Sequence, residues 1–284
     1  MPLQLFEDAP AGDRRNAAVL AAACQFAYLP ADAGAKAFKD ELGLDARLLT
    51  ADNTQAYLAT SPGHVVVAFR GSQEPTSLDG LKDWLLTNAV NLLIQPQGEL
   101  STEFLAAGVA ARFHQGFVGA ITEIWPQLYP AVKGELETAD RPLWVTGHSL
   151  GGALALLGAW LFKRKFLNVH QVVTFGAPMV GNADVQAAFN REFAGKITRY
   201  VNAPDPVPLL PMASLVANSY AHCDTPVSLG DAASGAGSAV EFVRQMAGGA
   251  VDGLLAGTIA DEFWKAVQGR VAAHLLTDYR KLLG

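Results

Sequence analysis

Between Leu143 and Phe166 the chain reads as a short strand (Leu143-Trp144-Val145-Thr146), a sharp turn (Gly147-His148-Ser149-Leu150-Gly151-Gly152), and an apolar, alanine-rich helix that ends in basic residues. No other stretch constrains the fold as tightly. A strand that passes into a helix through so few residues turns on a strained backbone. The glycines flanking Ser149 leave room for that turn. The geometry pushes the Ser149 hydroxyl out of the sheet, and Gly152 allows the helix to pack closely.

The rest of the chain alternates strand-like and helix-like segments, the pattern of an α/β protein with a central, mostly parallel sheet flanked by helices. A first helix is expected over about Arg14 to Leu29, and a hairpin from Ala56 to Thr60 and His64 to Arg70. Gln115 to Leu136 reads as a helix interrupted near Pro126 and Pro130. Gln171 to Phe175 and Ile197 to Asn202 read as strands around a helix from Ala183 to Phe193. Ser219 to Leu229 is extended, and a final helix from about Ile259 to Leu283 carries His274. A single domain over 1–284 is expected, with a Gly/Ala/Ser-rich excursion at about 230–257.

Half of the residues are hydrophobic and 17% are charged, enough for a large core. The net charge of -6 argues against nucleic acid and against capture by anionic membranes, and favours a neutral or apolar substrate. Cys24 and Cys223 give no disulfide framework or zinc spacing, so buried thiols, no metal and no cofactor are expected. Arg14-Arg15, the apolar run Ala17 to Leu29 and the small-residue segment Ala31 to Ala37 loosely imitate a secretion signal. Gln25 and the alanine content favour an amphipathic helix instead. With the chain starting at Met1, a cytoplasmic protein is expected, secretion by an atypical N-terminal signal being the alternative.

A serine hydroxyl attacks only when a neutral imidazole takes its proton, and that imidazole needs a carboxylate to fix its tautomer and stabilise its charged form. In strand–elbow–helix enzymes the acid and then the histidine follow the serine in the chain. Asp205 follows a strand and lies between Pro204 and Pro206, which rigidify its loop, with Asp224 in reserve. Of the six histidines, only His222 and His274 come after Asp205. His222 lies in an alternating, strand-like segment, and His274 on the last helix is the better base.

The run Val65 to Ser72, then Asp83-Trp84, Phe113-His114-Gln115-Gly116-Phe117, Gly147 to Gly152, Thr174 to Pro178 with Gly181-Asn182, and Asn202 to Pro211 resembles the class 3 (fungal-type) lipases, block by block and in order. The resemblance implies an α/β-hydrolase fold and lipid or small-molecule ester hydrolysis through a serine acyl-enzyme, with Ser149 as nucleophile, Asp205 as acid and His274 as base; a feruloyl-type esterase, a phospholipase or a non-catalytic lipid-binding protein of the same fold are the alternatives. It also implies an oxyanion hole from the backbone N–H groups of Leu150 and Ser72. His114 and His148 fall at framework positions of the family, where His148 packs or hydrogen-bonds. Met179 stands where a basic residue is common, which removes a surface ion pair, and Tyr279 lies further from the histidine than the family's aromatic residue. The segment at about 73–98 offers a helix start near Pro75 and an apolar face at Leu78, Leu81 and Leu85. It is expected to be a lid that contacts a lipid interface transiently.

Overall fold

The computed structural model describes residues 3–71, 92–209, 220–230 and 271–284. Asp13 opens the first helix, α1 (Arg14–Phe26), because its side chain accepts from the N–H groups of Arg15 and Asn16, which the helix leaves unpaired. A second helix, α2 (Ala31–Leu42), follows and ends at Gly43 with φ 67°, in the left-handed region. Neither α2 nor the next strand was expected from the sequence. Ala31 to Ala37, read there as a small-residue segment, is helical because Phe38 and Leu42 anchor its apolar side.

The strands β1 (Asp45–Ala51), β2 (Thr54–Thr60), β3 (Val65–Phe69), β6 (Leu143–His148), β7 (Val169–Phe175), β9 (Ile197–Asn202) and β11 (Pro226–Leu229) form the main sheet in that spatial order. β1, β2 and β3 pair antiparallel, and from β3 to β11 every pairing is parallel. A smaller antiparallel sheet joins β4 (Leu93–Ile94), β5 (Phe113–His114), β8 (Gly181–Asn182) and β10 (Tyr220–Ala221).

The central strands are buried on both faces, so they do not alternate apolar and polar: β3 is apolar throughout, and β6 and β7 are mostly apolar with Thr146, His148, Gln171 and Thr174 buried among them. Val65, Val67, Phe69 and Val145 pack toward a short helix α3 (Ser101–Leu105), α4 (Gln115–Thr138) and α5 (Leu150–Arg164). Val66, Ala68, Trp144 and Phe175 face α1 and the C-terminal helix. The helix α6 (Ala183–Glu192) joins β8 to β9.

α4 runs unbroken through Pro126 and Pro130, contrary to the interruption expected. Both prolines lie on its exposed side, where a carbonyl released by the missing N–H meets water. Ile121, Ile124, Trp125, Leu128 and Val132 bury the opposite side and hold the helix together. The final helix expected from about Ile259 departs in the opposite sense: 259–270 lie outside the described residues, and the described part is divided into α7 (Val271–His274) and α8 (Leu276–Leu283) by Leu275, whose ψ of 134° is extended. The expected lid lies outside the described residues except for 92–98, which contain β4. Of the excursion only Gly230 is described. Among the described residues no helix is long and apolar enough to cross a membrane.

Candidate active site

Ser149 occupies the hinge between β6 and α5 with φ 58° and ψ -132°, a conformation that costs a non-glycine residue on the order of 1–3 kcal/mol. The surroundings enforce it. The Ser149 N–H donates to the Phe175 carbonyl at 2.9 Å and its own carbonyl accepts from the Gly152 N–H at 2.9 Å. A methyl group on Gly147 would lie 2.0 Å from the Gly151 carbonyl oxygen, and one on Gly151 would lie 2.3 Å from that of Phe69. Glycine at these positions is therefore a steric requirement. Leu150 opens α5, where a backbone N–H has no intrahelical acceptor and the helix dipole favours negative charge.

Asp205 sits just beyond β9 and is 2% exposed. Its Oδ1 accepts from the Val207 N–H at 2.9 Å, and its Oδ2 lies 2.8 Å from His274 Nδ1. The Tyr279 hydroxyl also donates to Oδ2, at 2.6 Å, and accepts from the Asn202 N–H at 3.1 Å. Burial and the neighbouring Asp205 carboxylate keep the Tyr279 hydroxyl protonated, pushing its pKa well up. Gly176, with φ 59°, completes the wall: a methyl group there would meet Asp205 Oδ2 at 2.7 Å and His274 Cε1 at 3.1 Å.

A carboxylate accepts, so His274 Nδ1 carries the hydrogen. That leaves Nε2 as the lone-pair nitrogen, buried and without a hydrogen-bond partner among the described residues. Such a nitrogen is available to accept a proton. The late break at Leu275 matters here: it turns the chain after His274 so that Tyr279 returns to the same carboxylate. The longer spacing between this histidine and its aromatic residue is absorbed by that break.

The structure thus brings Asp205 and His274 together and sets Ser149 and Leu150 at the elbow. Ser72 lies outside the described residues. The reserve residues are elsewhere. His222 Nε2 bonds the Pro208 carbonyl, and burial drives its pKa down to about 3. Asp224 occupies a turn with φ 59°, where its Oδ1 accepts from the Thr225 N–H. Met179 is 2% exposed, so this position packs inside. Cys24 and Cys223 are buried, and burial raises both thiols to about 12. The residue that sequence reasoning undervalued is Tyr279, an aromatic residue after the histidine whose longer spacing counted against it.

Residues 66–215 match the sequence profile of the family described as Lipase (class 3). The chain belongs to the class 3 lipase family. It is 34% identical over 100 residues to secreted mono- and diacylglycerol lipase 3 of Gibberella zeae, a match covering 34% of this chain and 32% of that protein. It is 30% identical over 156 residues to the chloroplastic phospholipase A(1) DAD1 of Arabidopsis thaliana, covering 52% of this chain and 33% of that protein. The matches to these curated relatives span about a third of their length. The solved structure of Rhizomucor miehei triacylglyceride lipase superimposes with a TM-score of 0.55 at 22% identity, covering 79% of this chain and 84% of that one. The fold is therefore that of the α/β-hydrolase lipases. The cytoplasmic expectation is overturned: several relatives, including the Gibberella zeae protein, are named secreted lipases, which points outside the cell. That expectation rested on local features of the N-terminal segment, its alanine content and Gln25 among them, and such features do not report where a class 3 lipase works.

Proposed function

We propose that this class 3 lipase family member hydrolyses carboxylic esters of lipids through a serine acyl-enzyme. The observation that carries the reading is the buried Asp205–His274 pair, 2.8 Å apart, with the outer imidazole nitrogen unpartnered among the described residues. In this reading Ser149 Oγ attacks the ester carbonyl carbon while His274 Nε2 takes the hydroxyl proton. Asp205 holds the resulting imidazolium, and the Leu150 N–H donates to the oxyanion. Collapse of the tetrahedral intermediate breaks the bond to the alcohol oxygen, which leaves with the proton from His274. Water then attacks the acyl carbon, giving its proton to His274, and the second collapse releases the carboxylic acid and restores the Ser149 hydroxyl.

The relatives named for mono- and diacylglycerols and for phospholipids support an acyl ester of glycerol as substrate, presented transiently at a lipid interface. The apolar, weakly charged composition agrees with an uncharged acyl group as the part recognised. Ser149→Ala tests the reading on p-nitrophenyl butyrate, on emulsified monoacylglycerol and on phosphatidylcholine micelles. Turnover of all three should fall at least about 10³-fold, leaving the residual rate that an oxyanion site supports without its nucleophile. Wild-type turnover by Ser149→Ala, or a wild-type protein that no fluorophosphonate probe labels, would sink it.

A further inference from the structure

His148, the residue before Ser149, is buried yet makes directed polar contacts on both ring nitrogens. Its Nε2 lies 2.7 Å from the backbone carbonyl of His274, 126 residues away, and its Nδ1 lies 2.9 Å from the Tyr28 hydroxyl. A carbonyl only accepts, so Nε2 carries the hydrogen; Nδ1 is then bare and Tyr28 must donate to it. The Tyr28 oxygen in turn faces the backbone N–H of Gly71, two residues past β3. Every proton in the chain Gly71, Tyr28, His148, His274 has one permitted position.

The receiving end has a structural need. α7 ends at His274, and the last carbonyls of a helix have no intrahelical donor. Here the Ala273 carbonyl accepts from Asn202 Nδ2 at 2.9 Å, and the His274 carbonyl accepts from His148. The extended Leu275 immediately afterwards would otherwise leave the His274 backbone free to rotate. The two imidazoles also lie against each other at a tilt, with centroids 4.6 Å apart and planes 30° apart. Burial holds His148 neutral, its pKa well below the usual imidazole range, so it does not oppose a positive charge forming on His274.

Resting on the reading of His274 as the base, we propose that Tyr28 and His148 are positioning residues that fix the His274 backbone, and through it the imidazole, relative to the elbow that carries Ser149. Both bonds run between parts of the fold far apart in sequence, so they couple the end of α1, the elbow and the C-terminal helix in one rigid unit. Neither residue exchanges a proton with substrate. Their contribution falls on the chemical step, because a base displaced by about 1 Å can cost on the order of 10²-fold in rate.

The test compares wild type with His148→Leu, His148→Gln, Tyr28→Phe and Ser149→Ala on p-nitrophenyl butyrate, with a thermal melt of each protein. His148→Leu, which removes both bonds, should lower kcat roughly 10²-fold with KM changed less than about twofold. In His148→Gln the amide N–H still reaches the carbonyl, and kcat should recover about tenfold relative to the leucine variant. Tyr28→Phe should lower kcat about three- to tenfold. Wild-type kcat in His148→Leu or Tyr28→Phe, equal kcat in the leucine and glutamine variants, or losses confined to KM would overturn the proposal. If His148→Leu fails to fold, Tyr28→Phe, which removes one oxygen, decides the matter alone. Wild-type turnover by Ser149→Ala is a different result: it removes the serine mechanism itself, and the positioning role falls with it.

Discussion

Tyr279→Phe isolates one oxygen atom at the centre of the site. The ring contacts with Phe175 and His148, at centroid distances of 6.2 and 6.0 Å, survive the change. Two hydrogen bonds do not. Asp205 Oδ2 loses a 2.6 Å donor, and the Asn202 N–H, buried at 3.1 Å from the hydroxyl, loses its acceptor. A bond to a charged group contributes about 1.5–3 kcal/mol and an orphaned buried donor costs about 1–3 kcal/mol, so a combined loss of roughly 2–4 kcal/mol is expected once local relaxation is allowed. At about 2–4 °C per kcal/mol for chains of this size, Tm should drop by about 4–16 °C in a calorimetric or circular dichroism melt. The carboxylate still holds Val207 and His274, so the imidazole keeps its orientation. We therefore expect kcat on p-nitrophenyl butyrate to fall only about tenfold, equivalent to about 1.4 kcal/mol. A Tm within about 1 °C of wild type together with unchanged kcat would refute the idea that this hydroxyl braces Asp205.

Other consequences can be checked on the same purified proteins. His274→Ala should abolish nearly all turnover, by on the order of 10⁴-fold, whereas His222→Ala, which loses only the bond to the Pro208 carbonyl, should show a stability defect and near-normal kcat per folded molecule; the reverse ranking would move the base to His222. Acid should destabilise the fold through buried histidines. Burial lowers the His114 pKa from 6.5 to about 3, so the folded state stays neutral where the unfolded chain takes a proton. Stability is then complete above about pH 6.5 and declines as pH falls toward 3, with about 2 kcal/mol lost at pH 5 from His114 alone and His222 acting in the same direction. Urea midpoints that are equal at pH 8 and pH 5 would contradict this.

The elbow was legible in the sequence because its determinants are local. Steric room around Ser149 depends on glycines within a few residues, and an apolar strand before it with an alanine-rich helix after it leaves one arrangement for the backbone. The mostly parallel sheet was legible too, since strands buried on both faces are dominated by apolar residues rather than alternating. Asp205 and His274 could be nominated by chain order, but their meeting could not be derived, because a 2.8 Å contact across 69 residues depends on how β9 and the C-terminal segment pack against each other. The amphipathic α2 and the edge strand β1 escaped for the opposite reason. Their burial is partial, so few of their positions are apolar, and contact with each other, α1 and β2 decides them. Pro126 and Pro130 argued locally for a break that packing of the opposite face overrode. In the C-terminal segment the periodic pattern suggested one helix, and the extended Leu275 that divides it is held by no local signal. Its neighbours are fixed instead by Asn202, His148 and Asp205, all distant in the chain, so the orientation of His274 is a property of the tertiary structure alone.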